Sequence, residues 1–472
     1  MNDPEKGQYG HKRDMLVVDT DHERLVMDTL GEGAAKVVDS DATLRLTLIG
    51  LTDATKVPDR LQERVDRLPE PLRPAPEPDE DSSELDEVLA DLRAVFEQDY
   101  DGWTPRMGKN RFMTGIQFVT YPNAEVPGFT SIAMPTDASV NDIAMEINEA
   151  GHRSAGEGVR VGLLDTRMYQ HRLLAGRYVA PPDSLLPTIT KPVPYIHGHA
   201  VFLVSRVLAE APSAQLDVRA VARPYDAGQS DWDTTVGDTT VGDTTIWDTT
   251  IWAAAKQMVQ YRSSGVRLLN CSWVCYTRDG KPPLVLERAV GLLAPEVLVI
   301  AAAGNHGQYM AAEVSRDPDA EDKAFREAND LPARNAPAYP AALPDVVAVG
   351  AFGDDARHPA DFNPKGAGPR SLAPWINVLA PGVDVLGAYF GDTGPQDVLI
   401  RKLSGSGEGW AAYLNAEPEY EVGSYNGAAR WSGTSFAAAT VSGAIAARLP
   451  SCDSPREALE QVLKEDGRIT GP

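Results

Sequence analysis

Short, almost purely apolar runs recur through the second two thirds of the chain, and each stops on a small or polar residue. Residues 159–166 read Val-Arg-Val-Gly-Leu-Leu-Asp-Thr, residues 297–305 read Val-Leu-Val-Ile-Ala-Ala-Ala-Gly-Asn, and residues 268–272, 346–351 and 378–383 have the same character. Runs of this length without polar alternation predict strands buried on both faces, hence a parallel sheet covered by helices. Two stretches supply such helices. One follows His199 with helical apolar spacing, and the other opens at Gly433-Thr434-Ser435 and continues through Ala437, Ala438, Ala439 and Gly443. The N-terminal part is patterned differently: residues 14–19 and 44–50 look like strands around a helical or turn-rich centre. The expected fold is therefore α/β, a mainly parallel sheet flanked by helices, preceded by a small α+β domain.

Proline and acid alternate from Leu68 to Ser83, which predicts a semi-extended linker. Ser83 then caps an amphipathic helix through Leu85, Val88, Leu89, Leu92 and Phe96. The expected organisation is a small domain over 1–66, the linker over 67–84, a helical and extended connecting segment over 85–139, the main domain over 140–460 and a tail over 461–472.

Composition narrows the partners. The 472 residues are 43% hydrophobic, enough for a large core, and carry a net charge of −24, which disfavours nucleic acid and anionic membranes. That charge suits solubility, or attraction of a basic substrate. No apolar run is long enough to span a membrane, and residues 1–10 lack a hydrophobic signal core, so a cytoplasmic protein is expected. Cys271, Cys275 and Cys452 fit a reducing compartment. The spacing of the first two, with no second pair nearby, predicts buried thiols rather than zinc.

Four chemistry-bearing residues sit where the pattern would expose them. Asp165 ends a buried strand, Asn305 ends another, a histidine (His197 or His199) precedes a helix, and Ser435 stands at a helix start where unpaired N–H groups favour developing negative charge. Taken singly these are a cap, a turn and ordinary structural residues. The chain order Asp, His, Asn, Ser, each on such an element, resembles the subtilisin-like serine proteases (subtilases) over roughly residues 140–450. The segment 431–443, the Ala-Ala-Gly-Asn motif and the Ala-Pro-Gly turn at 380–382 carry the resemblance. It implies a Ser435 nucleophile, a histidine base held by Asp165, and an oxyanion hole made by the Asn305 amide and the Ser435 N–H. It also implies a substrate groove lined by Ser272, Trp273 and Val274 on one strand and by Ala302, Ala303 and Gly304 on another. The base is expected to be His199, because Ser205 then falls at a small-residue position of the helix; counting from His197 puts Phe202 and Leu203 there. His197, itself followed by Gly198, stays open as the alternative. No cofactor is expected. Calcium in surface loops, common in the family, has no diagnostic spacing here.

Departures from the family pattern bear on specificity. Asp165-Thr166 is followed by Arg167 rather than glycine, Ala200-Val201 replaces Gly-Thr after the histidine, Ala439 replaces a proline, and Trp273-Val274 is expected to intrude on the groove. A pentapeptide, Asp-Thr-Thr-Val-Gly twice and Asp-Thr-Thr-Ile-Trp twice, fills 233–252 and reads as an extended loop or ribbon near the substrate side. Insertions at 308–335 and 388–430 are further candidates for substrate selection. The first 110 or so residues are expected to act as a prodomain or as an accessory domain. The function expected is selective endopeptidase processing of a protein or peptide. The alternatives are a transpeptidase or macrocyclase, distinguished by a product without added water, and an inactive peptide-binding scaffold.

Overall fold

The computed structural model describes residues 10–74, 83–115, 134–148, 153–221, 246–308, 318–328, 331–353, 358–366, 371–401 and 420–472. The expected parallel sheet is present with seven strands. In spatial order they are Val378–Pro381, Val346–Phe352, Leu298–Ala302, Leu268–Cys271, Arg160–Asp165, Gln215–Ala220 and Tyr178–Val179. Every neighbouring pair is parallel. Strand order changes direction around Arg160–Asp165: the next sheet strand but one in sequence, Gln215–Ala220, lies on one side, and all later strands lie on the other. Open α/β sheets bind ligands beyond the carboxyl ends of strands at such a point. Asp165 and Ser272 stand there.

Two cores cover the sheet. On one face the helix Thr434–Arg448 is buried from Thr434 to Ala446, as its nearly continuous small and apolar sequence requires, and it packs against His199–Glu210. Gly443 makes that approach possible, since a Cβ there would come 2.6 Å from the Val207 carbonyl oxygen. On the other face lie Ile251–Gln260 and Leu284–Leu293, sharing a cluster with Trp273, Cys271 and Cys275. Burial raises both thiols, Cys275 to about 12, so they stay protonated.

The N-terminal region is an antiparallel sheet with helices on one face, in the order Met107–Gly115, His11–Asp19, Leu46–Leu51 and Ala35–Asp41. This divides the chain differently from the expectation of a 1–66 domain followed by a separate 85–139 segment. Glu84–Asp99 buries Leu85, Val88, Leu89, Leu92 and Phe96 in the same core as Leu16, Val18 and Ile49, and Met107–Gly115 is a strand of the same sheet, next to His11–Asp19. The reason is the helix's apolar stripe, which needs a sheet to cover it. Ser83 caps this helix reciprocally with Asp86, as the sequence predicts. Linker residues 75–82 lie outside the described residues. At the other end Pro455–Glu465 crosses the expected boundary at 460. Thr470 then exchanges both backbone hydrogen bonds with Leu379, so the final residues dock on the main sheet.

The N-terminal sheet does not stop at its own edge. Thr114 and Gly115 pair antiparallel with Val274 and Trp273, and Phe112 and Thr114 with Thr250 and Ile246. Ile246–Thr250 belongs to the pentapeptide repeat; residues 222–245, with the earlier copies, lie outside the described residues. Ion pairs reinforce the contact: Lys256 Nζ lies 2.6 Å from Asp39, Arg288 lies 2.5 Å from Asp19, and Arg106 pairs with Glu287. Trp252 Nε1 also donates to Asp39 at 2.9 Å.

Candidate active site

Asp165 reaches the sheet edge because Val161, Leu163 and Leu164 behind it are buried in the two cores. Its carboxylate is fully buried. Oδ1 lies 2.8 Å from His199 Nδ1 and accepts the Thr166 N–H at 2.8 Å, while Oδ2 has no hydrogen-bond partner among the described residues. His199 is the first residue of its helix and is 2% exposed. The Ala200 N–H donates to Thr166 Oγ1 at 3.1 Å, tying the start of the helix to the segment after Asp165. With Nδ1 held by a carboxylate, the imidazole is oriented and Nε2 is the nitrogen left for chemistry. Its ring stands among aromatic side chains, with centroids 5.8 Å from Trp431 and 5.6 Å from Phe436.

His197 is placed otherwise. It lies in the short helix Tyr195–Gly198, its Nδ1 is shielded and has no hydrogen-bond partner among the described residues, and burial together with Arg167 lowers its pKa to about 4. Among the described residues no carboxylate holds it. His306, next to Asn305, is a core residue: Tyr276 Oη lies 3.0 Å from Nδ1, the Ala336 carbonyl lies 3.0 Å from Nε2, and burial lowers its pKa to about 3.

Ser435 occupies the first turn of Thr434–Arg448 and is 2% exposed. Phe436, the next residue, is the one whose ring faces His199. Among the described residues no hydrogen bond joins Ser435 Oγ to the imidazole; such bonds are commonly loose without substrate and tighten when it binds. The neighbouring Thr434 carries no signature of a role in the sequence, yet it orients the amide. Asn305 Oδ1 accepts from both the Thr434 N–H and Oγ1 at 3.0 Å, and a Cβ on Gly433 would lie 3.4 Å from Asn305 Nδ2. Gly304, at φ +105°, makes the turn that delivers Asn305, and a Cβ there would meet His306 Nδ1 at 2.8 Å. Ala302 and Ala303 are fully buried behind it.

The expected groove strand is tied to the serine helix. Ser272 Oγ lies 2.9 Å from Asn270 Oδ1 and 3.1 Å from the Ser435 carbonyl, and Asn270 Nδ2 donates to Ser442 Oγ at 3.1 Å. Trp273 and Val274 differ from the expectation that their side chains intrude on the groove. Both are buried, Trp273 in the cluster that also takes Met113 from the N-terminal sheet and Val274 in the opposite core. A strand wedged between two cores turns alternate side chains into them, and its backbone edge is left to pair with Thr114 and Gly115.

The profile of the subtilase family matches residues 156–464. Among solved structures, fervidolysin from Fervidobacterium pennivorans, described as a keratinolytic enzyme related to subtilisin, aligns at 14% identity with a TM-score of 0.50. That alignment covers 96% of this chain and 57% of fervidolysin. The prenylagaramide maturation protease PagA aligns at 19% identity and a TM-score of 0.41, covering 68% of this chain and 87% of its own. The protease domain of PatA, solved as a serine-to-alanine mutant, aligns at 21% identity and 0.42, covering 66% and 89%. These likenesses concern the fold. No curated protein sequence matches the chain. Among the described residues no helix is long and apolar enough to cross a membrane.

Proposed function

The chain belongs to the subtilase family and is a subtilisin-like serine protease, and from that premise we propose that it is an endopeptidase working through Ser435, His199 and Asp165. Ser435 Oγ attacks the peptide carbonyl while His199 Nε2 takes its proton; Asp165 holds the ring and stabilises the imidazolium. The oxyanion is met by Asn305 Nδ2 and the Ser435 N–H, donors fixed before charge appears. His199 then protonates the leaving amine, and water releases the acyl group by the same steps in reverse. No cofactor enters this chemistry. The observation that carries the reading is the buried His199–Asp165 hydrogen bond of 2.8 Å beside the first turn of the Ser435 helix.

A second feature bears on regulation. Residues 112–115 run antiparallel along Trp273–Val274 and along Ile246–Thr250, the place a bound peptide would take by adding a strand. This supports reading the N-terminal region as a segment that occupies the groove until it is cut or displaced.

One experiment addresses both. A serine-directed fluorophosphonate is expected to label the protein and to fail with Ser435→Ala. N-terminal sequencing is expected to find a discrete cut between residues 100 and 145 that the same variant lacks. Absence of labelling under every activating condition favours a non-catalytic scaffold; labelling without a cut leaves the enzyme and removes the self-processing.

A further inference from the structure

Three stretches, 272–276, 303–306 and 336–339, wall the crevice beside the first turn of the serine helix. Ser272 Oγ lies 3.1 Å from the Ser435 carbonyl and Asn305 is held by Thr434, so the first two flank the nucleophile. The third is tied to the first by backbone hydrogen bonds in both directions between Cys275 and Tyr339, at 2.7 and 3.0 Å. Side chains then join all three walls across the middle. Tyr276 Oη lies 3.0 Å from His306 Nδ1, the two rings meet edge to face with centroids 5.1 Å apart, and His306 Nε2 lies 3.0 Å from the Ala336 carbonyl. Val274 and Tyr276 are each 1% exposed and His306 is 0% exposed, whereas a deep recess open to water would leave its floor exposed. The bar is braced from behind. Buried Arg326 donates to the Gln308 carbonyl at 2.5 Å and the Pro332 carbonyl at 2.7 Å, and Gly307 is pressed so closely on residue 363 that a Cβ would lie 1.7 Å from the Asn363 carbonyl oxygen.

A substrate that adds as a strand runs antiparallel from Val274 toward Ser272, as Thr114 and Gly115 do, and so approaches Ser435. Alternate side chains of this wall strand take opposite faces: Trp273 and Cys275 enter one core, Val274 and Tyr276 the other. Residues paired across two strands project to the same face. The substrate residue opposite Ser272 therefore turns its side chain to the face of Val274 and Tyr276, against the bar. We propose that Val274, Tyr276 and His306 close this crevice to all but small side chains, so that the enzyme cleaves after glycine, alanine or serine. A leucine or phenylalanine there has to part Tyr276 from His306 and leave buried polar atoms without partners, or overpack the core behind Val274. The inference deepens, and rests on, the reading of Ser435, His199 and Asp165 as the peptide-cleaving machinery.

The test is labelling of the full chain by peptidyl diphenyl phosphonates whose last residue carries the side chain of Ala, Leu or Phe. Ser435 Oγ bonds to phosphorus as phenoxide leaves with the hydroxyl proton, and a simple fluorophosphonate, which has no such side chain, serves as the reference. The Ala probe is expected to label about tenfold or more faster than the Phe probe, the discrimination a tight pocket makes for added carbons. The Phe-to-Ala ratio should rise about tenfold in Tyr276→Ala, rise less in Val274→Ala, and stay low in Tyr276→Phe, which keeps the ring. Because each ratio is taken within one protein, a general loss of activity does not imitate the effect; if Tyr276→Ala fails to fold, seen as loss of fluorophosphonate labelling, the wild type and Val274→Ala carry the test. Wild-type labelling by the Phe probe as fast as by the Ala probe, or a ratio unchanged in every alanine variant that still labels, overturns the closed crevice and leaves the catalytic reading standing. Failure of the wild type to react with any probe, the fluorophosphonate included, overturns both.

Discussion

At the scale of single residues, the site is a set of orientations. In the proposed mechanism Asn305 acts only if its nitrogen rather than its oxygen faces the oxyanion, and two bonds from Thr434 to Oδ1 favour that orientation. Asn305→Ala is therefore expected to lower kcat about 10²–10³-fold with KM little changed, a magnitude that comes from subtilisin itself; an equal rise in KM would mean a binding role instead. The two histidines differ in the same way. His199 has a carboxylate on Nδ1 and, among the described residues, His197 has none, so His199→Ala should abolish labelling of Ser435 by the fluorophosphonate while His197→Ala retains it. The reverse result would move the base to His197. The sequence alone left these histidines open, because both follow an element boundary and both neighbour Gly198. The carboxylate contact that separates them joins residues 34 positions apart.

At the scale of elements, the serine helix is the part most tightly constrained by neighbours. Its small residues let it lie against His199–Glu210 at Gly443, where a Cβ would also come 2.8 Å from Glu210 Cβ. Gly443→Val must push the two helices apart and is expected to destabilise the protein by about 1–3 kcal/mol, read as a lower denaturant midpoint. An unchanged midpoint would show that the helices have slack. The helix start, the buried strands and the Ser83 cap were all legible in sequence, since each depends on local spacing and capping chemistry. The role of residues 107–115 was not. Met-Gly-Lys-Asn-Arg-Phe-Met-Thr-Gly has no strong strand pattern, and it becomes a strand because backbone edges on both sides accept it.

At the scale of the whole molecule, the N-terminal sheet is joined to the main domain through that strand, a shared core and the ion pairs of Asp19 and Asp39, and buried titratable groups lie close to the junction. His11 is 4% exposed, with Lys109 Nζ 3.2 Å from its Nε2; burial and that neighbour push its pKa down to about 3, and burial pushes Lys109 down to about 8. For both groups the folded value lies below the unfolded one, so the unfolded state binds more protons and stability falls as pH falls. The His11 contribution is complete above about 6.5 and is lost from there toward pH 3, at about 1.4 kcal/mol per pH unit. Between pH 6.5 and 5 the N-terminal region should weaken by roughly 2 kcal/mol. Its denaturant midpoint should drop accordingly in the wild type and less in His11→Gln; equal drops would remove His11 from the account. By itself the sequence determined the parallel sheet and the small-residue helix that opens at Thr434, because buried strands, small-residue helices and turn glycines write themselves as local patterns. Only the tertiary structure decided which histidine meets Asp165, which atom of Asn305 faces the site, where Trp273 turns and what lies along its strand. Those depend on contacts between residues distant in sequence, which no spacing along the chain encodes.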